Sequence, residues 1–293
     1  MLLLLQLFID GLAAGALYAL MAVGFAIIYN GTRMLHLAHG AVFTFGGYAL
    51  YVFLMLLRLP VALGLILAVG ASAGLGVLME IFVYRPLRER NSSPAAILVA
   101  SLGLLTFFQA LYALIFGTDT LNLHEGPLPT FEFADLTVTA LHIVAAIAAL
   151  IVFPVLQLFL VRTRYGRAIR ALADNPRLAV VRGIDADRLT ILIFAIGSGL
   201  AGIAVGLVAF DLGVTPEMGF SVLFVALVAV IVGGVGYLPG AAAGGFLLGI
   251  IQDLSLWQLS GRWQGVVVFG ALVTFLIFRP QGIFGYMLVT RRV

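Results

Sequence analysis

Apolar stretches with at most one formal charge apiece recur along this chain, most of them close to the ~20 residues that an α-helix needs to cross a hydrocarbon layer about 30 Å thick. They fall near Leu2–Tyr29, Leu37–Leu57, Val61–Tyr84, Ala95–Phe116, Val138–Val161 and Leu189–Phe210, then in a glycine-rich region Phe220–Leu254, and last in Trp263–Phe278. With 63% hydrophobic and 10% charged residues, against the roughly 45–50% and ~25% of a soluble domain, the chain has far more apolar surface than a water-soluble core can bury. The sequence predicts an all-α polytopic membrane protein with lipid as its main solvent. The first stretch lacks the basic flank of a signal peptide and continues to Tyr29, so it reads as a retained helix.

Residue types that are absent exclude several chemistries. Without cysteine there is no disulfide, thiol nucleophile or cysteine metal site. All sixteen basic residues are arginines, so a G-x-x-x-x-G-K-[ST] phosphate loop, which needs lysine, cannot be present, and neither can a lysine Schiff base.

The arginines also orient the chain. Fourteen of the sixteen can share one side of the membrane, leaving Arg58 and Arg262 on the other. By the positive-inside rule the fourteen are cytoplasmic, which places the amino terminus outside and the carboxyl terminus inside and makes the number of crossings odd. The region Phe220–Leu254 is long for one span and short for two, and Gly233, Gly234, Gly236, Pro239 and Gly240 interrupt it. Two short crossings give nine in all, whereas a re-entrant pair gives seven, so about eight to nine transmembrane or re-entrant helices are expected. The loop Gly117–Leu136, with Asp119, Glu125, Glu132 and Asp135 but no arginine, reads as a solvated outer cap. The internal loop 162–188 carries seven arginines and three aspartates. Ala168, Ile169, Ala171, Leu172 and Ala173 among those charges suit a short surface helix that ends near Pro176.

Enzyme chemistry finds little support. Gly197-Ser198-Gly199 resembles the end of a rhomboid-type G-x-S-G motif, but no histidine follows His142 to serve as base, and close packing of small residues explains the triplet. His124-Glu125 is followed by Gly126-Pro127-Leu128, without the second histidine that a zinc site of this kind needs. Asp10, Glu80, Asp211 and Asp253 fall near predicted span ends, so no proton relay is evident, and the path reads as poor in charge. His36 and His39, near the start of the second span, read either as titrating groups or, as the favoured reading, as interfacial histidines bonded to backbone.

Two further patterns stand out. His39-Gly40-Ala41 with Gly46-Gly47 is echoed by Pro239-Gly240-Ala241 with Gly244-Gly245. Either these are broken helices that line a substrate path, or they are ordinary glycine packing. The arginine-rich internal helix fits either anionic lipid, which needs only charge, or docking in another subunit, for which Gly166, Ala168, Ala171 and Gly183 provide small residues.

Five segments, in order, resemble one family: the permeases of bacterial branched-chain amino acid ABC importers, specifically the shorter of their two paired membrane subunits. They are Gly11-Leu12 with Gly15, Tyr18-Ala19-Leu20 and Gly24; Leu37-Ala38-His39-Gly40 with Gly46 and Tyr48; Gly166-Arg167-Ala168-Ile169-Arg170-Ala171 through Asn175, Ala179 and Gly183-Ile184; Gly233-Gly234-Val235-Gly236 with Pro239-Gly240-Ala241 and Gly244-Gly245; and Arg279-Pro280-Gln281-Gly282-Ile283-Phe284-Gly285. The chain departs from the family's pattern at Ala41, where relatives often carry glutamate, and at His36, where asparagine is common.

The resemblance implies a fold like that of the type II ABC importer permeases, a single transmembrane domain over residues 1–293. It implies a second homologous permease, two cytoplasmic ATPase subunits and an external solute-binding protein as partners, besides membrane lipid, and no nucleic acid. No cofactor is expected on this chain, since ATP would sit on the partner subunits. Gly166, Arg167, Ala168, Arg170, Ala171, Asn175 and Gly183 become the expected ATPase-coupling residues. Tyr18, His39, Gly40, Gly236 and Gly240 become candidates for the substrate path. Branched-chain or other amino acids are the expected solutes, with urea or short amides as an alternative, and a stand-alone channel or secondary carrier as the competing class.

Overall fold

The computed structural model describes residues 2–124, 129–133 and 136–285. Glu125 to Leu128, Asp135, Arg291 and Arg292, named above, lie outside them.

The helices are α1 (Leu2–Thr32), α2 (His39–Tyr51), α3 (Val61–Met79), α4 (Arg85–Glu89), α5 (Pro94–Phe116), α6 (Ala140–Arg162), α7 (Arg164–Asp174), α8 (Pro176–Val181), α9 (Ala186–Leu212), α10 (Met218–Gly233), α11 (Leu238–Ser255) and α12 (Gln264–Phe278). π-helical turns extend α2 to Leu56 and α3 to Tyr84. Among the described residues, seven helices, or helices with short extensions, are long and apolar enough to cross a membrane. One correction to the all-α expectation lies in the outer loop, where β1 (Thr130–Phe133) and β2 (Leu136–Thr139) form a two-stranded antiparallel ribbon.

Polar side chains set where the helices start. Ser93 accepts from the Ala96 amide at 3.2 Å ahead of Pro94, and Thr139, Thr163, Asn175 and Asp185 cap α6, α7, α8 and α9 in the same way. Each satisfies an amide that the first helical turn leaves free.

Two groups of contacts define the ends of the bundle. At one end, Gln6 exchanges two 2.9 Å hydrogen bonds with the backbone of Thr137, and Leu121 pairs with Val214. At the other, Arg33 meets α7, and the Ile283 amide donates to the Val232 carbonyl at 2.8 Å. The interrupted region therefore resolves into two helices: α10 runs from the first end to the second, and α11 returns after the turn at 234–237.

The interior is built on backbone-to-backbone packing. A methyl group at Gly11 or Gly15 would lie 2.8 Å from a Cα of α11, and one at Gly24 would lie 2.7 Å from the Gly197 carbonyl of α9. Such approach requires small residues, the usual adhesive where lipid offers no hydrophobic drive between helices. By contrast α6 and α12 expose Leu150, Ile151, Val155, Ile277 and Phe278 along their length, the composition of a lipid-facing wall.

Candidate functional site

Two polar cavities occupy opposite ends of the bundle, and α1, α6 and α11 contribute to both. The cavity at the arginine-rich end has a volume of about 760 Å³ and is lined by Asn30, Arg33, Gln157, Arg170, Asp174 and Tyr237 among others. The cavity at the far end, about 790 Å³, gathers Asp10, Tyr18, His142, Asp211, Gln252 and Asp253. There Gln6 donates to Asp10 at 2.8 Å, and His142 Nε2 stands 3.6 Å from Asp10 Oδ1. The cavity thus holds more charge than the separate span ends suggest. Four titratable groups that look unrelated at four span ends converge, because α1, α6, α9 and α11 all present one end here.

A buried polar cluster occupies the other flank of α1. After α1 stops, the chain turns at the left-handed Arg33 and folds back into the bundle through the short non-helical stretch 34–36 and a turn at 37–38, so α2 begins beside Gly24 and Gly197 rather than at the membrane edge. Eight helical residues separate Gly24 from the end of α1, a return of about 12 Å. Met34, His36 and Ala38 are buried while Arg33 and Leu35 are exposed, so alternate side chains face inward. His36 Nδ1 is 2.8 Å from the Tyr84 hydroxyl, which donates to Ser101 Oγ at 2.9 Å. Ser101 Oγ also accepts from the Ala38 amide at 3.0 Å. Irregular backbone at this depth is tolerated because protein groups satisfy it. His39 is fully buried with no well-formed hydrogen bond at either ring nitrogen, and the two imidazoles lie 5.6 Å apart. The histidines are thus buried in the core of the bundle rather than exposed at its edge, with the Met21 backbone the hydrogen-bonding group facing His39.

The candidate path residues are scattered. Tyr18 lines the far cavity and Gly236, at a φ of +98°, lines the arginine-end cavity. His39 and Gly40 sit in the closed core, where a methyl at Gly40 would lie 2.7 Å from the Gly219 carbonyl oxygen of α10. Gly240 packs against Gly233 in the α10–α11 contact. α10 therefore touches both members of the glycine echo, α2 near its start and α11 near its end. Ser198 is buried against Gly76 and has no hydrogen-bond partner among the described residues.

At the arginine end, α7 lies folded back on α6. Gly166, Ile169 and Leu172 are buried, one face at helical spacing, while Arg164, Arg167, Arg170 and Ala171 are exposed and Ala168 is half-buried. Gly166 is small for the chain's own sake, since a methyl there would meet Leu160 Cα at 2.5 Å. Gly183 needs glycine for another reason: its φ of +82° closes the turn after α8. Asn175 caps α8, its Oδ1 accepting from the Leu178 amide at 3.0 Å. Nearby, the fully buried Glu80 carboxylate is held by both terminal nitrogens of Arg88, and Arg85 bridges to Asp187 at 3.2 Å, tying α4 to α9.

Comparison with known proteins supplies the remaining observation. Residues 7–277 match the family model described as branched-chain amino acid transport system, permease component. A high-affinity branched-chain amino acid transport system permease protein, BraD of Pseudomonas aeruginosa, is 32% identical over 96% of this chain and 95% of its own. LivH of Escherichia coli K12, of the same description, is 32% identical over 96% of this chain and 95% of its own. A more partial relative is the autoinducer 2 import system permease protein LsrD of Escherichia coli, 30% identical over 67% of this chain and 59% of that one.

Proposed function

Because this chain belongs to the branched-chain amino acid transport system permease family, we propose that it is the membrane-spanning subunit of an ATP-driven importer moving branched-chain or other amino acids across a bacterial inner membrane. The observation that carries the mechanism is the pair of polar cavities at opposite ends of α1, closed from each other by glycine-packed helices. Such an arrangement suits alternating access: solute enters the far cavity, the bundle rearranges, and solute leaves past Arg33 and Tyr237.

Arginine distribution supports the orientation, with α7 and the 234–237 turn cytoplasmic and the Asp10 cavity external. On that reading α10 and α11 are two short crossings, and the chain crosses nine times. The external cavity would then receive solute from a binding protein. Its carboxylates suit the ammonium group of an amino acid, and its Tyr18 and Gln252 suit hydrogen bonding. Urea and short amides lack a full charge to pair there, which favours amino acids over them.

Energy would come from two ATPase subunits docked on α7, beside a second permease of the same family. ATP can drive the change only if it binds the two conformations with different affinity, since equal affinity shifts no population. Arg167, Arg170 and Ala171 are exposed for such docking, whereas Gly166 holds α7 on α6. Arg170→Glu is therefore a cleaner coupling test than Gly166→Trp, which would unseat the helix itself.

The test is co-purification in mild detergent followed by reconstitution. Recovery of a second permease and ATPase subunits, and leucine uptake that needs ATP, are expected. Solute flux by this chain alone would instead favour a stand-alone carrier or channel.

A further inference from the structure

Arg33 stands where α1 stops and the buried strap to α2 begins. Its amide donates to the Tyr29 carbonyl at 2.7 Å, and its φ of +58° puts it in the left-handed conformation that ends helices and is usually taken by glycine. Its guanidinium reaches α7, where Nη2 donates to the Ala173 carbonyl at 2.9 Å. That carbonyl belongs to the last turn of α7, whose acceptors lack amide partners within the helix and whose negative dipole end favours a cation. One residue therefore ends α1, begins the strap and holds α7.

The strap leads directly to the polar cluster. Three residues beyond Arg33, His36 is bonded to Tyr84, and two further on the Ala38 amide is held by Ser101. This strap is only six residues long, irregular at 34–36 and turned at 37–38, and is anchored at both ends, so it has few residues with which to absorb displacement. Gly166 seats the start of α7 on α6, while Ile169 and Leu172 seat the rest of it through apolar contact, which is non-directional. The Arg33 hydrogen bond adds a directional link at the far end of the helix.

We propose that Arg33 is the positioning residue through which movement of α7 reaches the buried start of α2, so that breaking its bond to Ala173 uncouples ATP hydrolysis from transport. This rests on the reading of α7 as the ATPase-docking helix. Arg58 provides an internal comparison: its φ is +52°, it follows the other end of α2, and it lies at the opposite face of the bundle.

The experiment uses the whole complex in proteoliposomes and measures leucine taken up per ATP hydrolysed. If the unaltered complex shows no ATP-driven uptake, the importer reading falls and this inference with it. If it does, Arg33→Ala is expected to lower the ratio several-fold with hydrolysis continuing, Arg33→Lys to retain part of it, and Arg58→Ala to match the unaltered protein. Because the chain has no cysteine, the link can also be rebuilt. In Arg33→Cys/Ala173→Cys, a short bis-thiosulfonate reagent should restore the ratio and reductant should abolish it again, while the singly substituted chains show neither effect. An unchanged ratio in Arg33→Ala, or a bridge that restores nothing, overturns the proposal. The bridged and reduced states share one preparation, so a folding defect cannot imitate the result.

Discussion

The strap 33–38 and the turn 234–237 lead into helices that open alike and meet opposite fates. Each leads into a helix that carries a Gly-Ala pair in its first turn, followed by two adjacent glycines, and that packs on α10. The strap is drawn into the core, where Tyr84, Ser101 and Phe194 surround its histidines. The turn stays at the arginine end, with Gly236 and Tyr237 on the wall of a cavity. Local sequence signals a break in a helix, but the neighbours decide whether the broken backbone is sealed or open.

The largest effect is expected where both regions depend on α10. Gly244→Val sets a branched side chain against the Ala229 carbonyl of α10, and backbone cannot yield as a side chain can. The cost should reach or exceed the upper end of the ~1–3 kcal/mol usual for overpacking. Fluorescence-detected size exclusion after heating should find little folded protein, and an unchanged profile would show that the α10–α11 contact is looser than described.

Tyr84→Phe comes next. It removes the hydroxyl shared by His36 and Ser101 and strands buried polar atoms, which costs about 1–3 kcal/mol. A fall in thermal midpoint is expected, and its absence would mean that the sealed strap does not rely on this cluster.

Gly236→Ala tests the open turn instead. Strain at a φ of +98° should cost about 1 kcal/mol. Transport should suffer less than with Tyr84→Phe, because Gly236 lines an open cavity whereas Tyr84 is sealed in the core. The smallest stability effect belongs to His39→Leu. Its ring nitrogens lack well-formed bonds, so an apolar replacement should be neutral or mildly stabilising in thermal unfolding. A loss of uptake in that stable protein would assign His39 to the transport cycle, while a clear loss of stability would show that its nitrogens are satisfied in the membrane.

Much of this was readable in advance. The long spans begin and end within a few residues of their expected places, since an uncharged run between arginines has few alternatives in lipid. The amphipathic α7 was visible in the spacing of Ile169 and Leu172 among arginines. What escaped was any feature that depends on two distant segments meeting. Asp10, His142, Asp211 and Asp253 share a cavity although far apart in sequence. A hydropathy pattern places each at a span end without saying which ends are neighbours. His36 and His39 looked interfacial because they lie at the start of the second span. Only the return of 33–38 into the bundle carries them inward, and no periodicity of a six-residue segment could have announced it.

The sequence alone determined that this chain is a bundle of membrane helices, which end carries the positive charge, and to which family it belongs. Those properties follow from composition and from local order, which lipid reads residue by residue. The tertiary structure decided which glycines meet, which carboxylates share a cavity, and that Arg33 reaches α7. Such contacts depend on helix rotation and depth, and these are fixed by close packing against partners distant along the chain.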